Sequence, residues 1–145
     1  FSNSTFYDVF TVRVYHTSEN SIMFDKLTMT GTLRALSTSA TGSFEGATIT
    51  AGSSTSKMGA VITYTDQAGT NALNSDLVLK LSADNGSNYS TATLTALPDF
   101  ASGVKCCQVS DLSVTAGTQL KYKIEFANQS SGSKECRVTG VSLQY

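Results

Sequence analysis

The sequence predicts an all-β protein: an antiparallel two-sheet β-sandwich, jelly-roll-like, with about nine or ten strands. Hydrophobic and polar residues alternate along most of the chain, most clearly at residues 77–81, 119–126 and 137–143. A period of two places one set of side chains in a core and the other in water. Helical spacing is almost absent, and turn signals recur at the intervals expected for a sandwich or jelly roll.

The first half of the chain contains about four of these strands. Bulky residues lie on both faces of the first one, which indicates a core on one side and a neighbouring subunit on the other. A small-residue loop at 37–43 and a Gly-Ser-Thr stretch at 52–56, interpreted as a flexible connector, separate the later ones. The predicted strands are residues 6–15, 22–36 with a break near Gly31, 44–51 and 58–65.

The second half carries the strongest local signal, Asp84-Asn85-Gly86. Asn-Gly adopts the positive φ angles that tight hairpin turns require, so residues 76–83 and 89–97 are predicted to pair across it. Pro98 is placed at the end of the second of these strands, where a missing N–H does no harm. The remaining predicted strands are 103–109, 119–126 and 136–145, and the segment 111–118 includes a predicted turn at Ala116-Gly117.

Length, composition and net charge limit which classes of protein the sequence can belong to. The 145 residues predict one domain, 1–145, and 41 of them are Ser or Thr while only 14% are charged. A net charge of -1 argues against a nucleic-acid-binding protein, which needs a concentrated basic surface. No apolar run is long enough to span a membrane. Because the chain opens at Phe1 without Met, we expect the C-terminal part of a longer or processed protein.

The second half resembles a known group of proteins. Residues 76–89 read as a strand, an Asp-Asn-Gly turn, a polar spacer and an aromatic residue; residues 117–124 and a closing strand at 138–145 follow. This order resembles the C-terminal β-sandwich modules of bacteriophage tail-fibre and related virion appendage proteins, especially those of marine phages. The resemblance implies a homo-oligomer, with a trimer favoured, that contacts a host surface or another virion protein. Tyr89 and Thr139 depart from the pattern, which often has Trp and His there.

Polar loop residues beside an aromatic ring are the pattern that sugar binding needs. The candidates for ligand binding are therefore Asn85, Asn88 and Tyr89 on one hairpin and Asn128 with Gln129 on another loop. The alternative for Tyr89, which we favour, is that it packs as a cross-strand partner. No catalytic residue is predicted, because the single histidine, His16, lies in a turn and no Gly-x-Ser-x-Gly motif exists.

Other side chains raise minor alternatives. Cys106 or Cys107 could bridge to Cys136, although buried free thiols are the favoured interpretation, and no metal site is predicted from them. No cofactor is expected. A structural Ca²⁺ is a minor option, since Asp76, Asp84, Asp99 and Asp111 flank loops. Four Asn-x-Ser/Thr sequons occur at Asn3, Asn85, Asn88 and Asn128 and give faint evidence for glycosylation.

The leading functional hypothesis is a non-enzymatic, tail-fibre-like virion appendage module that is located on the virion or outside the cell. It would attach to a host-surface glycan or protein through the loop tips of an oligomer, where weak contacts add up by avidity. One alternative is a structural decoration or filament-forming subunit of a virion. A further alternative is a carbohydrate-binding module of a secreted protein. Neither nucleic acid nor membrane insertion is expected.

Overall fold

The computed structural model describes residues 39–145, and this part of the chain is all-β and antiparallel, as the alternation predicts. The predicted strands at 6–15 and 22–36, His16 and the sequon at Asn3 lie outside the described residues. No helix occurs in residues 39–145, so this part of the chain has no helix that could cross a membrane. The strands are β1 (Gly42–Glu45), β2 (Ile49–Ala68), β3 (Leu77–Ser82), β4 (Ser90–Thr91), β5 (Thr95–Ala101), β6 (Val104–Phe126) and β7 (Glu135–Gln144).

The seven strands form an antiparallel sheet in which β6 is the shared strand. The order is β4-β3-β6-β2-β7, and β1 and β5 each pair with β6 as well. The partners of β6 change along its length. Its first part lies between β5 and β2, with Cys107 opposite both Ala96 and Ile62. Its last part lies between β1 and β3, with Ile124 opposite both Phe44 and Leu79.

Several predicted boundaries are wrong because bulged strands continue through apparent turns. The stretch at 52–56 lies inside β2 and is not a flexible connector, since small polar residues fit an extended backbone. The predicted strands at 103–109 and 119–126, and the segment 111–118 with its predicted turn between them, are one strand, β6. Its register against β2 shifts near Asp111, which has a φ of 53°. A β-bulge therefore lies inside this continuous strand, where the sequence suggested that one strand ends and the next begins.

The segment after the Asp84 turn also differs from the prediction. It is divided into a two-residue β4 and a separate β5, and Pro98 lies inside β5 rather than at its end. The register of β5 against β6 shifts between Leu97 and Ala101, so the missing N–H of Pro98 falls where regular pairing is interrupted. Residues 39–145 therefore contain seven strands. The arrangement of the strands in two sheets stays a prediction.

One hydrophobic core joins the two parts of the sheet. Leu77, Leu79 and Leu81 are fully buried on β3, as are Ile62 on β2 and Ile124 on β6. Burying side chains of this size contributes about 1.5–3 kcal/mol each relative to leaving them exposed. The alternation along β3 puts its three leucines on a single face, which is the reason this strand can anchor the core.

Candidate functional site: the Asp84 turn and the polar loop network

The turn between β3 and β4 is built from local hydrogen bonds that start at a buried hydroxyl. Ser82 Oγ donates to Asp84 Oδ1 at 2.7 Å and accepts from the Gly86 N–H at 2.9 Å. Asn85 and Gly86 have φ angles of 59° and 82°, the left-handed backbone that Asn-Gly favours. β3 and β4 pair antiparallel across this turn, as its sequence predicts.

Asp84 closes the same turn on its far side. Its carboxylate accepts the Asn88 backbone N–H at 2.9 Å and the Asn88 Nδ2–H at 2.7 Å. The hydrogen bonds from Ser82 and Asn88 lower the pKa of Asp84 to about 2. A carboxylate that stays ionised at neutral pH and accepts so many donors acts as a fixed acceptor and is poorly suited to proton transfer.

Asn85 and Asn88, two of the predicted ligand-binding residues, lie together on this turn with exposed side chains. Asn85 Oδ1 accepts a hydrogen bond from Thr48 Oγ1 at 2.7 Å, which ties the turn to the segment between β1 and β2. The turn therefore holds both amides in fixed positions. Within the described residues, the Asn85 amide N–H groups and the Asn88 amide oxygen are left for solvent or a ligand.

Tyr89 packs back onto the turn. Its hydroxyl is buried and has no hydrogen-bond partner among the described residues. A Cβ at Gly86 would lie 3.0 Å from Tyr89 Oη, so the absence of a side chain at Gly86 makes room for the ring. Burial, and then the charge of Glu45, raise the pKa of Tyr89. Tyr89 lies just before β4 and packs on the turn itself, outside any strand, so both its cross-strand packing and its sugar contact stay predictions.

Asn128 and Gln129 lie elsewhere, in a polar network between the β2–β3 and β6–β7 loops. Gln129 is buried, and its Nε2 donates to Asn71 Oδ1 at 2.8 Å. Its Oε1 accepts the Cys136 N–H at 2.8 Å. Asn128 Nδ2 donates to Asp76 Oδ1 at 2.9 Å. The five predicted ligand-binding residues therefore do not form one site, because these two hold the loops together.

Asp76 is the charged centre of that network. It is only 2% exposed, and Lys134 Nζ lies 2.6 Å from its Oδ2. The backbone N–H of Ala72 donates to the same oxygen at 2.8 Å. The Lys134 ammonium, the Ala72 N–H and the Asn128 amide lower the pKa of Asp76 to about 2. Burial opposes this shift, but the three donors outweigh it.

A second ion pair supports the neighbouring loop. Lys105 Nζ lies 2.6 Å from Asp66 Oδ2, and Asn71 Nδ2 donates to Asp66 Oδ1 at 2.6 Å. Burial raises the pKa of Asp66. The hydrogen bonds from Lys105 and Asn71 together lower it by more, so the pKa lies below its ordinary value. Asn71 thus links Asp66 to Gln129, and one network fixes both loops.

Of the four aspartates that raise the minor option of calcium, Asp76 and Asp84 have protein partners at both oxygens of their carboxylates. Asp111 uses its backbone carbonyl to accept from Lys57 Nζ at 3.2 Å. Residues 39–145 contain no group of three or more His, Cys, Asp and Glu side chains that could hold a metal ion.

The three cysteines are free thiols, so the structure does not form the Cys106–Cys136 bridge that the sequence left open. Cys107 belongs to the hydrophobic core and Cys136 packs against it, while the neighbouring Cys106 points to the opposite face. Burial raises the pKa of Cys107 to about 11 and that of Cys136 to about 12. Thiols with such pKa values are poor nucleophiles at neutral pH.

The structure also reveals an apolar groove of about 450 Å³ that the sequence interpretation missed. Phe44 is 48% exposed there and packs edge-to-face against Tyr122, with ring centroids 5.7 Å apart. Alternation places Tyr122 and Phe126 on one face of β6. The pairing of Phe44 on β1 with Ile124, which lies between them, brings in a ring that is distant in sequence. The lining residues are Phe44, Tyr122, Phe126 and the β7 segment 136–141.

Comparison of the chain with protein-family models, curated proteins and solved structures found no match. The functional inference therefore comes from the site itself. The Asp84 turn is a fixed, solvent-facing pair of amides. The loop network joins the β2–β3 and β6–β7 loops to each other. The groove is an apolar surface beside β7. Of these, the turn is the one whose free groups suit recognition of a polar ligand.

Proposed function

We propose that this domain is a non-enzymatic attachment module of a virion appendage, and that it contacts a glycan of the host surface through the Asp84 turn. The observation that carries the proposal is the pair of exposed amides on Asn85 and Asn88, held by hydrogen bonds to Asp84 and Thr48. Amide donors and acceptors match sugar hydroxyls, and fixing them in advance reduces the conformational entropy lost on binding.

The resemblance of residues 76–89, 117–124 and 138–145 to tail-fibre modules supports the same proposal. A single turn offers few contacts, so its affinity for one sugar would be weak. Several identical subunits on one appendage would present several turns at once, and their contacts would sum by avidity. Homo-oligomerisation is therefore part of the proposed mechanism.

We propose that the sheet folds at β6 into two stacked layers, β5-β6-β2-β7 and β1-β6-β3-β4. Support comes from the single core cluster, which contains Ile62 from the first set of strands and Leu79 from the second. Two layers packed face to face are the arrangement of a β-sandwich.

The direct test is binding of the full chain, displayed on beads, to an array of bacterial surface polysaccharides and lipopolysaccharides. Asn85→Gly removes one amide and keeps the left-handed backbone, so the domain stays folded while binding falls. Gln67→Ala removes an exposed amide elsewhere and should leave binding unchanged. Equal binding by the Asn85→Gly and wild-type chains would exclude the turn as the contact.

A structural subunit that binds copies of itself is the second candidate. The observation that favours it is the outer edge of β7, which has no partner strand among residues 39–145. An open strand edge presents unpaired N–H and C=O groups and is a ready template for another chain. Particle images that show the protein repeated over a surface, and not at a tail tip, would support this candidate.

A further inference from the structure

The outer edge of β7, which has no partner strand among residues 39–145, differs from a typical exposed edge. Natural edge strands are commonly shortened, or carry lysines or prolines that prevent pairing with other chains. β7 is ten residues long, contains no Lys or Pro, and is charged only at Glu135 and Arg137. On its inner edge it pairs with β2 along its whole length. Its length and composition therefore suit a strand that pairs on both edges.

A bulge sets which way the side chains of β7 point. The register against β2 runs Tyr64 opposite Val138 and then Thr63 opposite Gly140, so Thr139 is an extra residue. Thr139 Oγ1 lies 2.9 Å from Thr63 Oγ1 on the outer face. A Cβ at Gly140 would lie 2.9 Å from the same Thr63 oxygen, so Gly140 also faces outward.

The bulge makes the inside–outside pattern of β7 symmetric. Four residues pack against the core from β7: Cys136, Val138, Val141 and Leu143. The other six face outward: Glu135, Arg137, Thr139, Gly140, Ser142 and Gln144. If a second β7 runs antiparallel to the first, with the Thr139–Gly140 bonds of the two strands opposite each other, every inner residue lies opposite an inner residue. Every outer residue then lies opposite an outer one. A bulge away from the centre of the strand would break this match.

We infer that β7 pairs antiparallel with β7 of a second copy of this chain, on a two-fold axis between Thr139 and Gly140. Each inner residue then meets an apolar residue of the second copy: Val138 lies opposite Val141, and Cys136 opposite Leu143. On the outer face, Arg137 lies opposite Ser142 and Glu135 opposite Gln144. No like charges face each other, and one surface patch serves both subunits, as two-fold symmetry requires.

The groove beside β7 gains cover from the same pairing. The whole β7 segment 136–141 lines it, including the inner residues Cys136, Val138 and Val141, and Phe44 is 48% exposed at its rim. Paired residues of neighbouring strands point to the same side of a sheet, so the inner residues of the second strand lie on the groove side. Its valines and leucine therefore extend the apolar surface over the groove. The interface stands on β7 alone and does not depend on the proposed glycan contact.

Charge variants at one exposed position test the register. Ser142→Glu places a glutamate opposite Arg137 of the second copy twice per dimer, while Ser142→Arg places two arginines together there. Cross-strand charge pairs of this kind change the dimer dissociation constant by roughly fivefold in each direction. Sedimentation equilibrium of the full chain measures the change, and circular dichroism checks that both variants keep the same strand signal.

Three results would overturn the inference. The first is a monomer at every concentration, and the second is a trimer. The third is a dimer whose dissociation constant responds equally to Ser142→Glu and Ser142→Arg, which would place the contact elsewhere. A wild-type dimer that is tightened by the glutamate and weakened by the arginine supports β7 pairing. Glycan binding by the displayed chain is measured separately. A chain that stays monomeric would remove both the β7 contact and the avidity of the proposed attachment, whereas loss of glycan binding alone would leave the β7 dimer intact.

Discussion

The Asp76 carboxylate and the Lys134 ammonium lie 2.6 Å apart, although 58 residues separate them in the chain. Asp76 leads into β3 and Lys134 leads into β7. The same carboxylate also accepts the Asn128 amide. One buried charge therefore fixes the β2–β3 loop to the β6–β7 loop, and it makes the stability of this end of the domain depend on pH.

We predict that the domain loses stability in acid through Asp76. Its folded pKa of about 2 lies below the ordinary value of 3.8, so its contribution is full above the unfolded pKa. That contribution is lost as pH falls through 3.8 towards 2. The loss from this residue is about 2 kcal/mol, measured as the free energy of unfolding in urea. Asp84, whose pKa is also lowered, adds to the same trend.

Neutralising Asp76 should remove most of that pH dependence and lower stability at neutral pH. Asp76→Asn leaves Lys134 without its partner and is expected to cost about 2 kcal/mol. The matched control is Glu125→Gln, the same change in a half-buried pair whose oxygen lies 2.8 Å from Lys80 Nζ. It should cost less than about 1 kcal/mol. Equal costs for the two variants would mean that burial does not distinguish these ion pairs.

The sequence predicts the local features of this domain well. Alternation identifies β3 and the end of β6, and Asn85-Gly86 identifies the turn, because each signal lies within a few adjacent residues. Long-range relations could not be predicted in the same way. Nothing in the composition of 52–56 distinguishes a loop from a bulged strand. The hydrogen bond between Gln129 and Asn71 joins residues 58 positions apart. Because the sequence does not reveal this partner, it is equally consistent with a Gln129 that binds a ligand.

Gly117 on β6 lies very close to the backbone of Ala83, the residue after β3. A Cβ there would collide with the backbone carbonyl oxygen of Ala83, which cannot move without disturbing the Asp84 turn. Gly117→Ala is therefore expected to cost about 3 kcal/mol. Gly52→Ala is the control, because a Cβ at Gly52 meets nothing within 4 Å. Its effect should lie within about 0.5 kcal/mol of zero in the same urea titration.

The thiols provide an independent check on the core. In denaturant, all three cysteines should react with a disulfide reagent, since all three are free. In the folded domain at about pH 8, Cys107 and Cys136 should react slowly, because their pKa values of about 11 and 12 leave little thiolate. A single reactive thiol in denaturant would reveal a disulfide and contradict this placement.

The most direct test of the proposed attachment is the footprint of a bound glycan on the isotope-labelled domain. The polysaccharide that binds on the array is titrated into the full chain, and amide chemical shifts are followed by NMR. We predict that the largest changes fall on Thr48, Asn85 and Asn88, which lie together on the Asp84 turn. Changes confined to the groove at Phe44, or to the exposed Phe100, with none on the turn, would contradict the account.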